Sequence, residues 1–371
     1  MKKTNLPIFI VLTVLTLTAC RGKEQTSKEE YIEFNQNAIE AFGKQLEQTV
    51  LDGNADFFNN SYDKEYIKEQ IRNNSIVNSA LDADFGTEFF ENCFYTGTEV
   101  VRMVDAGGDF KYVGYRFDEK DGTHHIILRS YIDFTINFYD FIIDSCNNKL
   151  VIKDGFIYNT GQKFSDNVRE NVLLNTLYRT NPEGIPQILT EVKACMEKNR
   201  NKEAWQLLKN HQNELKYLSV YRQLFIANMY KVLPKTAFVD SLNALEQQGV
   251  DKRLIATHLL TYFVNEGMTK EAEETIDAMI GWTNDDPIYL LLFGKANIFA
   301  KNYETALYCF QNCEQFLSPI WDLWYSKLEC YNALNDKENY TTCLLSGKKN
   351  YNMSDTELQE MTKKYFPKMQ K

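Results

Sequence analysis

The stretch Pro287–Pro319, PIYLLLFGKANIFAKNYETALYCFQNCEQFLSP, decides the C-terminal half of the fold. It reads as one helix, a short polar turn and a second helix. The unit starting near Trp321 has the same shape, and so does the one starting near Arg253. A small residue early in each second helix sets the register. Ala204, Ala237, Ala272 and Ala306 recur at intervals of 33, 35 and 34, and Tyr340 takes the slot 34 places later. Two helices cannot bury a shared apolar face alone, so units at such a period must stack. Alanine suits the slot because the two helices of one unit cross closest there.

In the clearest unit Leu290, Phe293, Gly294, Ala306 and Phe310 follow the order large, apolar, small, small, aromatic. This resembles the tetratricopeptide repeat. Cys313 stands where a small residue is usual, and Pro319 closes the unit one place late. The preceding unit keeps Ala272, Ile276 and Met279. The following one keeps Trp324, Leu328 and Tyr331, with Tyr340 departing from the small residue. The units near Ile185 and Leu218 rest on Ala204, Ala237 and periodicity. Five units are expected, closed by a capping helix over 355–366 with Ser354 as N-cap and Glu357 completing a capping box.

The resemblance implies an all-α, TPR-like solenoid over 185–371 whose first helices line a concave face that holds a peptide or protein segment. In the family's register that face carries Arg222, Thr257, Leu291 and Tyr325 in one row. Ile226, Thr261, Lys295 and Glu329 form the next. Arg222, Tyr230, Lys295, Tyr325 and Glu329 are the candidate groove contacts. The two cations suit an acidic segment, and aromatic residues dominate interface energies. The Lys and Asn pattern by which some relatives clamp a C-terminal carboxylate is absent.

Residues 29–165 read differently. Tyr31, Phe34, Ala38, Phe42 and Leu46 give an amphipathic helix over 29–51, stopped by Asp52-Gly53-Asn54. Further helices are expected over 64–73, capped from Ser61-Tyr62-Asp63, and over 87–93. From Glu99 to Tyr158 the pattern is strand-like. Runs 111–117, 124–133, 136–145 and 150–158 are rich in β-branched and aromatic residues. The breaks at Gly107-Gly108, Asp121-Gly122 and Asn147-Asn148 have turn chemistry. Helices followed by an antiparallel meander predict an α+β domain, its helices packed on a curved sheet. The order resembles the NTF2-like fold, whose members often enclose a pocket.

On these strands His125, Arg129 and Tyr131 fall on one face, as do Asn137 and Tyr139 on the next strand. Together they are the candidate pocket for a small polar ligand. His124 and His125 point to opposite faces and cannot share a metal ion. A helical joint over 166–184, apolar on several sides and broken at Pro182 and Gly184, is expected to pack against both halves.

The N-terminus carries Lys2 and Lys3, a short apolar run over 6–17, and then Leu17-Thr18-Ala19-Cys20. This resembles the lipobox of bacterial lipoproteins. The resemblance implies a signal peptide over 1–19, lipidation of Cys20 and a polar tether over 20–28. It places the chain at the cell envelope, most naturally the outer membrane, since two or more acyl chains hold a protein where one is marginal. With Cys20 lipidated, seven of the eight cysteines remain, an odd number, so they cannot all pair within one molecule. Cys309 and Cys313 lack a third ligand at closed-site spacing and read as packing residues.

At 371 residues and 44% hydrophobic content the chain is long enough for two domains. A net charge of −10, with no basic block, disfavours nucleic acid as a partner. There is no nucleophile elbow, no phosphate-binding glycine loop and no zinc motif. No catalytic residue, metal or cofactor is therefore assigned. The leading expectation is a membrane-anchored, non-enzymatic interaction scaffold that holds an envelope protein in the repeat groove. The alternative is a ligand-capturing lipoprotein with a pocket in 29–165. A hydrolase or isomerase centred on His125 is a third reading.

Overall fold

The computed structural model describes residues 34–317 and 319–366. Residues 1–19, Cys20 and the tether lie outside them. The chain begins with α1 (Gln36–Leu51), whose N-cap Asn35 accepts from the Ala38 amide. Ile39, Phe42, Leu46 and Val50 make its buried stripe. Gly43 lies on that stripe because a Cβ there would stand 2.4 Å from the Tyr112 ring. Short helices follow: α2 (Asp56–Asn59), α3 (Lys64–Ile71), α4 (Ser75–Leu81), α5 (Asp84–Glu91) and α6 (Thr96–Asp105). Asp63 caps α3 through the Tyr66 amide, as its sequence predicts.

The strand expected from Glu99 is instead the body of α6. The run Glu99-Val100-Val101-Arg102 holds two β-branched valines, but it buries Val100 one helical turn after Thr96 and Gly97. Gly97 packs so closely on α2 that a Cβ would meet the Ala55 carbonyl at 2.7 Å. Tertiary packing here overrides local β propensity.

The meander is β1 (Asp109–Asp118), β2 (Thr123–Ile132), β3 (Thr135–Cys146), β4 (Lys149–Ile157) and β5 (Gln162–Lys163). All neighbours are antiparallel and in chain order. The β3–β4 turn places Asn147 and Asn148 at φ 50° and 57°, the left-handed pair a two-residue hairpin needs. The β2–β3 turn does the same with Asp133 and Phe134, at φ 48° and 59°.

Helix α7 (Phe164–Thr180) leaves the sheet and packs on α3, α4, α5, β4 and α8 (Ile185–Glu197), so the joint touches both halves as expected. The rest is helical: α9 (Asn201–Asn210), α10 (Gln212–Leu215), α11 (Ser219–Val232), α12 (Lys235–Gln247), α13 (Lys252–Glu266), α14 (Thr269–Thr283), α15 (Ile288–Phe299), α16 (Tyr303–Glu314), α17 (Trp321–Ala333), α18 (Lys337–Asn350) and α19 (Asp355–Tyr365). Successive helices pair, α13 with α14, α15 with α16 and α17 with α18, while α13, α15 and α17 pack side by side. Ala204, Ala272 and Ala306 are fully buried, and Phe310 fills the notch left by Gly294. The capping box of Ser354 and Glu357 opens α19.

Helices cover both faces of the sheet. Ile126, Leu128, Phe141 and Ile152 share a core with Phe42, Leu46 and Phe58 on the N-terminal side. Ile127, Ile136, Phe138 and Tyr158 share another with Leu254, Tyr289 and Leu292 of the C-terminal helices. The face of α13, α15 and α17 that points inward is thus packed against the protein's own sheet.

Candidate functional site

The strand register divides the candidate pocket residues. Residues directly opposite in an antiparallel pair project from the same face. Arg129 pairs with Phe138 and Tyr131 with Ile136, so His125, Arg129 and Tyr131 face the C-terminal helices. Asn137 pairs with Ser130 and Tyr139 with Leu128, so these two project from the opposite face. The five side chains therefore do not converge on one pocket, contrary to the sequence expectation.

The first three form a polar seam. Arg129 is fully buried, its Nε 2.7 Å from Asp286 Oδ2 and its Nη2 2.7 Å from Asp109 Oδ2. Burial disfavours the guanidinium charge, but the carboxylates of Asp286 and Asp109 outweigh it and hold the pKa above its ordinary value. His125 Nδ1 lies 2.6 Å from Asp140 Oδ1, and Thr123 Oγ1 meets its Nε2 at 2.8 Å. Asp140 also accepts from Arg116 at 2.7 Å. Arg253 of α13 stands 3.8 Å from Asp140 and stacks 3.3 Å above the Phe156 ring. Tyr131 donates to Asp322 of α17 at 2.9 Å, and burial pushes the pKa of both groups up. These side chains join sheet to helices, while Arg129 Nη1 and Arg116 Nε stay buried without a hydrogen-bond partner.

The groove candidates are engaged in the same way. Arg222 donates to Gln162 Oε1 at 2.8 Å. Lys295 is 7% exposed, with its ammonium 4.5 Å from the Phe134 ring and 3.4 Å from Glu329. Tyr325 packs on Phe366. Tyr230 packs edge-on against Phe238 and Tyr262 while keeping 40% of its surface. Leu291 and Thr257, expected in the same rows, are buried.

Asn137 and Tyr139 instead reach a cleft of about 510 Å³ between α6, the β4–β5 turn, α7 and the start of α11. Helix α7 contributes Asn167, Asn171 and Asn175, which share one helix face at intervals of four. This repeated amide is visible in the sequence as Asn at intervals of four. Asn167 is fixed by Gln162 and Thr160. Asn175 donates to the Asn171 carbonyl, which leaves its own side-chain oxygen open to the cleft. Tyr95 and Tyr178 stand at the rim, 42% and 44% exposed. Burial raises the pKa of Glu99, the acidic group on the α6 wall.

Glu170 also borders the cleft, but its carboxylate is committed. It accepts from the Ser219 and Val220 amides at 2.7 and 3.0 Å, so it caps the N-terminus of α11. The free chemistry of the cleft is therefore amide, phenol, the Glu99 carboxyl and the Lys193 ammonium. Such a set matches hydroxyl and amide groups of a ligand.

Cys309 and Cys313 are buried in the helix pairs, and burial pushes the Cys313 thiol up to about 12. Among the described residues, no group of three or more His, Cys, Asp or Glu is placed to hold a metal ion. No described helix is long and apolar enough to cross a membrane. Compared with known proteins, the chain matches no family model, no curated protein and no solved structure.

Proposed function

We propose that the chain is a non-enzymatic bacterial envelope lipoprotein, held by a lipidated Cys20, that captures a small polar ligand of no net charge in the amide-lined cleft. The observation that carries this reading is the meeting of Asn137 and Tyr139 with Asn167, Asn171 and Asn175 in one cleft. Its volume is in the range of ligand sites, and its lining is rich in amides and phenols, with Glu99, Glu170 and Lys193 as its ionisable groups. In this reading the C-terminal helices are a TPR-like array that braces the sheet. The buried Ala204, Ala272 and Ala306, with a half-buried Ala237 between the first two, recur at intervals of 33 to 35 and support that assignment.

The interaction-scaffold reading keeps one favouring observation. Tyr308 and Phe316, in and just after α16, are 67% and 58% exposed, away from the sheet-facing helices. A partner would then use the outer side of the array.

The test is thermal unfolding of the full-length chain with neutral hexoses, N-acetylhexosamines and zwitterionic amino acids. A ligand at a hundred times its Kd stabilises the folded state by about 2.7 kcal/mol. Asn171→Leu should abolish that gain. Absence of stabilisation by every compound would overturn the capture reading and leave the scaffold.

A further inference from the structure

A second cleft, about 860 Å³, opens on the other side of α7's first turn, between the β4–β5 turn, the start of α11 and the α12–α13 loop. Its chemistry differs from that of the amide cleft. Arg222 projects into it from α11, flanked by Tyr217 and Phe225. Its partners are uncharged: Gln162 Oε1 at 2.8 Å, and the Thr160 and Tyr217 carbonyls at 3.5 Å. Among the described residues no carboxylate comes within ion-pair distance of it. The acids whose charge reaches it are committed elsewhere, Glu170 to the Ser219 and Val220 amides at 2.7 and 3.0 Å and Asp166 to Arg169 at 2.8 Å. In a chain of net charge −10, a half-buried guanidinium without a carboxylate is conspicuous. Burial pulls its pKa below the ordinary arginine value, against the opposing pull of the Glu170 and Asp166 charges.

The walls supply what a ligand body needs. Tyr217 is 74% exposed, and Lys216 extends over its ring at 5.3 Å. Phe225, packed against Trp205 and Tyr221, adds an apolar wall. A guanidinium presents a planar fork that takes a carboxylate through two parallel hydrogen bonds. Asp166 and Asp251 line the cleft together with Lys163, Lys216, Arg222 and Arg253, so its charge balance favours an anion.

We propose that this cleft is a binding site for a small organic carboxylate with a planar apolar body, its carboxylate held by the Arg222 fork and its body laid against Tyr217 and Phe225. This site is separate from the amide cleft and does not rest on the function proposed for it.

The probe is 2-naphthoate, titrated into the full-length chain by calorimetry, with 2-naphthalenemethanol as its neutral counterpart of similar shape. Naphthoate should bind at least tenfold more tightly than the alcohol. Arg222→Gln should weaken naphthoate at least tenfold and leave the alcohol unchanged. Arg222→Lys keeps the charge but loses the fork, and should fall between. Tyr217→Ala should weaken both probes, and Asn171→Leu neither. An unchanged melting temperature in Tyr217→Ala, an exposed position, keeps the result readable should Arg222→Gln prove unstable. Equal binding of acid and alcohol, no binding of naphthoate, or full affinity in both Arg222 variants would overturn the proposal.

Discussion

The Arg129 guanidinium on β2 lies 2.7 Å from the Asp286 carboxylate at the start of α15, a contact that joins residues 157 positions apart. The same guanidinium is 2.7 Å from Asp109 on β1, so one buried cation ties two strands to the C-terminal helices. Asp286 meanwhile receives the Ile288 amide at 3.0 Å and starts α15. Removing the cation leaves two buried carboxylates facing each other. Arg129→Met should therefore cost about 3–5 kcal/mol in denaturant unfolding. The triple variant Arg129→Met/Asp109→Asn/Asp286→Asn should recover much of that loss, because it removes the charges along with their partner. A loss below about 1 kcal/mol in the single variant would mean that water already reaches the seam.

Two glycines on neighbouring helix pairs should respond with opposite sign. A Cβ on Gly294 of α15 would stand 2.4 Å from the Phe310 ring, and Phe310 is fully buried. Gly294→Ala must push that ring out of its place, at a cost of about 1–3 kcal/mol. Gly281 of α14 has nothing within 4 Å of the same position. Gly281→Ala should stabilise by about 0.5–1 kcal/mol, through reduced freedom of the unfolded chain and better helix propensity. Equal melting temperatures for the two variants would refute the packing described for α15 and α16.

The proposed anchor makes its own prediction. Cys20→Ala removes the only acylation position in the lipobox, and hydrophobic attachment scales with buried methylenes. The variant should move from the membrane pellet to the soluble fraction on high-speed centrifugation. Retention in the pellet after a carbonate wash would count against lipidation.

The α15–α16 pair was legible because Gly294 stands opposite the Phe310 ring, and its neighbours follow at a near-constant interval. The hairpins were legible through Asp121-Gly122 and Asn147-Asn148, whose backbone needs leave few residue choices. The seam was not. Arg129 and His125 read alike whether they line a pocket or lie in a packed interface, because their partners Asp286 and Asp140 are fixed only by docking. The facing of Asn137 also depended on register. The two-residue turn at Asp133-Phe134 sets it, and a slip of one residue would carry Asn137 to the other face. The Asn167, Asn171, Asn175 line stood in the sequence, but its meaning depends on the strand that faces it.

His258 of α13 should make the fold acid-sensitive. Its Nε2 is buried without a hydrogen-bond partner, and burial pulls the pKa down to about 4. In the unfolded chain the ring titrates near 6.5. Above about pH 6.5 it is neutral in both states, and the contribution to stability is complete. As pH falls from there toward 4, the unfolded chain takes up a proton that the folded chain refuses, so stability drops. At pH 4.5 the loss amounts to roughly 2–3 kcal/mol for this group alone. Acid also protonates carboxylates, so the comparison must be made within a pair of proteins. Urea unfolding of the native chain and of His258→Leu, each at pH 7.5 and 4.5, isolates the term. The variant should lose about 2 kcal/mol less than the native chain on acidification. If both lose the same amount, His258 is protonated in the folded state and its nitrogen has found water.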